Sequence, residues 1–72
     1  FQLSKERARL QKRVAALEEE ISKLETALAT VESALASGLG DAIAQAAEHT
    51  RLSNALEARM DEWEQTAAEA VQ

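Results

Sequence analysis

From Leu3 to Leu35 the apolar residues recur at alternating spacings of four and three, once Arg7 is allowed to fill one position. Arg7, Val14, Ile21, Leu28 and Leu35 then occupy a, and Leu3, Leu10, Leu17, Leu24 and Val31 occupy d, of a heptad repeat sustained for more than four turns of the pattern. At 1.5 Å per residue this places one narrow apolar stripe along a helix of roughly 50 Å. A stripe of that kind is stable only against another helix.

The heptads break at Ser37-Gly38-Leu39-Gly40-Asp41. Gly38 can take the left-handed conformation that ends a helix, and Asp41 can cap the free amides that begin the next. Proline is absent and these are the only two glycines, so little else interrupts a helical composition. The second segment carries Ile43, Leu52, Leu56, Met60, Trp63 and Ala67, and its spacing from Leu52 runs four, four, three. That reads as a stutter. Its middle is weak, because Ala46, His49, Thr50 and Ser53 stand where leucine would be expected.

The fold class expected is all-α, an antiparallel two-helix coiled-coil hairpin, since a short linker makes antiparallel neighbours. One domain spans 1–72, with helix one over 3–37, a turn over 37–41 and helix two over 41–70. Apolar seams pair best with Leu35 facing Ile43, Ile21 facing Leu56, Leu17 facing Met60, Val14 facing Trp63 and Leu10 facing Ala67. Charges agree with an antiparallel arrangement, because the basic run at 5–13 meets the acidic stretch at 61–69. Two helices bury little apolar surface, so marginal stability or self-association is expected.

Chemistry is not expected of such a chain. A two-helix hairpin has no interior that excludes water around a substrate, and the motifs for phosphate cradles, zinc proteolysis and acyl transfer are missing. No catalytic site, cofactor or metal is assigned. Without cysteine there are no disulfides or thiolate ligands, and the single His49 sits beside Glu48 on a diverging side of the helix, as a polar seam residue. Glu18-Glu19-Glu20 reads as a solvated helix face, with Glu19 supporting Lys23. No apolar stretch is long enough to span a membrane, and the expected setting is cytoplasmic. The absence of an initiating methionine at Phe1 suggests a fragment of a longer protein.

The basic run is the most informative feature. Lys5 and Lys12 fall at f and Arg9 at c, a stripe facing away from the partner helix with Arg13 at its edge. Cations spaced along an exposed helix face are what phosphate contacts need, so Lys5, Arg9, Lys12 and Arg13 are the candidate nucleic-acid-binding residues. Against this, Lys+Arg 8 and Asp+Glu 13 give a net charge of −5, which argues against binding nucleic acid through net charge alone. Trp63 is expected in the core against Val14, with base stacking as its other reading.

Leu3-Ser4-Lys5, Leu17-Glu18, Ile21, Leu24-Glu25, Ala27-Leu28, Ala34-Leu35-Ala36, Leu52, Leu56-Glu57, Met60 and Glu62-Trp63-Glu64 together resemble the C-terminal hairpin of duplicated ATP-binding-cassette proteins of the F subfamily (ABC-F), the Uup type. Where that family's turn carries Asp-Pro and Tyr, this chain has Ser37-Gly38-Leu39-Gly40. The resemblance implies a non-catalytic accessory domain of a cytoplasmic ATPase, attached C-terminally to its nucleotide-binding domains and contacting DNA or ribosomal RNA while ATP turns over elsewhere. The alternative is a protein-protein coiled coil that mediates dimerisation or domain docking.

Overall fold

The computed structural model describes residues 2–71, so Phe1 and Gln72, the two ends of the expected domain, lie outside the described residues. The chain is all-α: helix α1 spans Gln2–Ser37 and helix α2 spans Ala42–Ala70, with no strand among the described residues. The two pack antiparallel, as Arg13 meets Glu62 near one end and Glu32 meets His49 near the other. They form a rod of 56 × 14 × 13 Å.

Local chemistry at 38–45 reverses the chain. Gly38 adopts φ +69°, its N–H donates to Leu35 C=O at 3.2 Å, and Leu39 N–H donates to Ala34 C=O at 3.3 Å. This is the paired closure of a Schellman motif, which satisfies carbonyls left open at a helix end. Asp41 is the N-cap of α2, its carboxylate accepting from Ile43 N–H at 3.0 Å and Ala44 N–H at 3.3 Å. Gly40 is also left-handed, at φ +77°. Gln45 folds back over it and donates to Leu39 C=O.

Along α1 the apolar seam is continuous: Leu10, Val14, Ile21, Leu24, Leu28, Val31 and Leu35 are half-buried, and Leu17 is fully enclosed. The seam of α2 differs from the expected one. Its inward residues are Gln45, His49, Leu52, Leu56, Arg59, Trp63, Thr66 and Ala70, an unbroken alternation of four and three with no stutter. Met60 drops out of it and is 49% exposed, so it does not cover Leu17. Ile43 is 84% exposed and does not cover Leu35. In both cases a polar neighbour holds the inward position, because the helix follows its 3.6-residue geometry and not the apolar residues alone.

The outcome is a lopsided interface. One helix contributes an apolar stripe and the other alternates apolar with polar side chains. Leu17 and Leu52, at 0% and 4% exposure, are the buried apolar residues, and Thr66 joins them with its hydroxyl donating to Glu62 C=O at 2.8 Å. The accessible surface is 5370 Å², against about 4400 Å² for a globular chain of 7.8 kDa. Because α1 has 36 residues and α2 has 29, the start of α1 overhangs by about 10 Å, leaving Leu3 exposed.

Candidate functional site

The four basic residues singled out from the sequence separate into two groups. Lys5, Arg9 and Lys12 lie exposed along the outer face near the start of α1. Arg13, at g of the heptad, turns toward α2, where its Nε donates to Glu62 at 2.9 Å and a second guanidinium nitrogen reaches the same oxygen. That hydrogen bond holds the Arg13 guanidinium above its ordinary pKa. Arg59 approaches the other oxygen of Glu62 at 3.4 Å. Glu62 thereby joins a cation from each helix, and Arg13 is a clamp between helices before it is a phosphate contact.

The thin seam leaves open grooves on both sides of the hairpin. One, of about 390 Å³, has a floor of Leu24, Ala55 and Ala58 and a border of Glu20, Lys23 and Arg59. Its border carries both signs of charge. The groove on the opposite side, about 360 Å³, is formed by Leu28, Leu56, Met60 and Trp63. Glu57, Asp61 and Glu64 border it.

A further hollow lies nearer the turn. Ala46, His49, Ser53, Leu56, Met60 and Trp63 succeed one another at spacings of three and four, which keeps them on one side of α2. Leu35, Ala46 and His49 line the hollow near the turn. Across from them the e positions of α1 supply Glu18, Glu25 and Glu32 at intervals of seven. Glu18 accepts from the Trp63 indole N–H at 3.3 Å, and Glu32 lies 3.6 Å from His49 Nε2. An apolar floor therefore runs between two acidic rows. No lysine or arginine is among its described lining residues.

The sequence reading missed this groove because it put Met60 in the seam, where the structure places Arg59 and Thr66 on either side of Trp63. Counting α2 onward from Leu52 by strict heptads would have revealed it. No three or more His, Cys, Asp or Glu residues cluster for a metal ion among the described residues, and no described helix is long and apolar enough to cross a membrane. No family model, curated protein or solved structure matches this chain.

Proposed function

We propose that this hairpin is a non-catalytic helical interaction module, whose seam is completed by another helix. What carries this reading is the mismatch between its two helices. Eight apolar seam residues of α1, from Leu10 to Leu35, meet an α2 seam in which Gln45, His49, Arg59 and Thr66 take half the positions. Apolar surface that one partner helix covers incompletely is stabilised by a second. The test is the stability of the isolated chain: circular dichroism melting with amide exchange should show a marginal helix pair with weak protection of seam amides. A strict monomer melting cooperatively above about 65 °C, beyond the usual range for mesophile domains, would overturn it.

A second reading rests on Lys5, Arg9 and Lys12, which stand exposed along the outer face near the start of α1. In that reading the hairpin is the nucleic-acid-contacting accessory domain of an ABC-F type ATPase, working in the cytoplasm beside the nucleotide-binding domains of the same chain. Reversing these three charges should abolish binding to RNA or DNA at low salt. Binding that survives the reversal, or that is absent in the unaltered chain, sinks it. Arg13 is left intact in this test because Glu62 depends on it.

A further inference from the structure

The two sides of the hairpin are not equivalent, and their charges say which partner each could accept. Every lysine and arginine of the chain lies on the outer face of α1 near its start, at the seam or on the mixed-charge side: Arg13, Lys23 and Arg59 flank that side, and Arg51 pairs with Glu48 one turn from Ala55. The opposite side presents Leu28, Leu56, Met60 and Trp63, with Glu57, Asp61 and Glu64 on the α2 border and the e-position row of α1, in which Glu18 reaches Trp63 and Glu32 lies beside His49, on the other. Exposed acids earn little from each other's company in water, and an apolar floor between them is poor surface for solvent.

We propose that this acidic groove is a docking site for a basic amphipathic helix of a partner protein, which lies between α1 and α2 and turns the hairpin into a three-helix bundle. The proposal rests on the interaction-module reading and names the partner's chemistry. Helix-in-groove recognition works through apolar anchors at i, i+3, i+4 and i+7. Here the face from Ala46 to Trp63 offers floor for roughly 17 residues of helix, about 26 Å at 1.5 Å per residue. Lysines or arginines flanking those anchors would meet Glu18, Glu25 and Glu32 on one side and Glu57, Asp61 and Glu64 on the other.

Charge complementarity favours this occupant over a second copy of the chain. Two such faces packed together would oppose carboxylate to carboxylate, which disfavours association. Met60, flexible and half-exposed, and Trp63, with one edge already satisfied by Glu18, are suited to repack against an incoming apolar ridge.

Trp63 is the only tryptophan, so its emission reports on the groove. The full chain is titrated with a synthetic three-heptad peptide carrying Leu at a and d and Lys at e and g, with a peptide of the same composition in scrambled order, and with a Glu-flanked counterpart. The Lys-flanked helix should bind one to one, shift Trp63 emission to the blue and weaken by about tenfold or more in high salt. Met60→Glu should weaken it by about tenfold, the equivalent of one lost anchor, and Glu57→Lys with Glu64→Lys should do the same while circular dichroism stays unchanged. Equal binding of the scrambled peptide, or indifference to both variants, overturns the proposal.

The controls separate it from the reading beneath it. If the chain is marginal alone yet ignores the order of the peptide, only the docking proposal falls. If sedimentation shows the chain dimerising through this face, with the peptide excluded, a second copy replaces the basic helix and the module reading stands. A stable monomer that ignores all three peptides removes both.

Discussion

The indole N–H of Trp63 donates to Glu18 at 3.3 Å, one helical turn closer to the chain reversal than Val14, the residue the apolar pattern pairs it with. Its ring spans the edge of the seam with a polar end on a surface carboxylate, an arrangement that suits tryptophan at half-wet boundaries. Trp63→Phe, which keeps the ring and removes the donor, should cost about 0.5–1.5 kcal/mol. Trp63→Ala should cost more, about 2 kcal/mol or above, since apolar cover is lost as well. Thermal melts of the two variants check the order, and equal losses would place the tryptophan's contribution elsewhere.

Glu62 holds Arg13 from α1 and Arg59 from α2. Removing it should lower the melting temperature by more than removing Arg59 alone, and the loss should shrink as salt is raised, because all three groups remain in contact with water. A double-mutant cycle between Arg13→Ala and Glu62→Ala should show coupling. Additive losses would mean that the open end of the hairpin is held by packing alone.

The glycines of the turn should not respond alike. Gly38 has open space where a Cβ would stand, so Gly38→Ala should cost only the left-handed backbone, about 1–2 kcal/mol. A Cβ on Gly40 would lie 2.8 Å from Gln45 Nε2, and Gly40→Ala should therefore cost more, by displacing the amide that binds Leu39 C=O. In a Gln45→Ala background the two penalties should become equal. Chemical denaturation of the four variants decides this.

The Arg51 guanidinium hydrogen-bonds the Glu48 carboxylate and holds its pKa below the ordinary value. A carboxylate whose pKa is depressed on folding contributes stability that is present above its unfolded pKa and is lost as pH falls through the lowered one. Melting temperature should thus decline as pH falls through the carboxylate range, and Glu48→Gln should flatten part of that decline. Equal slopes for the two proteins would show that the pair contributes nothing in solution.

How much of this was legible depended on which helix was read. The seam of α1 is apolar at each position from Leu10 to Leu35, so periodicity alone exposed the hairpin, and the chemistry of Gly38 and Asp41 marked its reversal. In α2 the inward positions include Gln45, His49, Arg59 and Thr66, and a reading that follows apolar residues is drawn to Ile43 and Met60, which lie outside the seam. The register went with it. Arg13 was readable as a clamp, because g borders the seam and Glu62 stands across from it, but the pattern grouped it, at the edge of the basic stripe, with the phosphate-contact candidates. The acidic groove needed the true α2 seam before it could be seen.

A reversal closed by so few residues also sets the order in which the hairpin comes together. Contacts beside Gly38 and Asp41 join residues close in sequence, whereas Arg13 and Glu62 are 49 positions apart. Loop closure is cheapest for the former, so pairing is expected to nucleate at the tip and proceed outward like a zip, on the rapid timescales of helical proteins with low contact order. Opening runs the other way. Exchange and proteolysis should begin where α1 overhangs α2, and a helix docked along the acidic groove would arrest the fraying partway, turning a graded structure into a cooperative one.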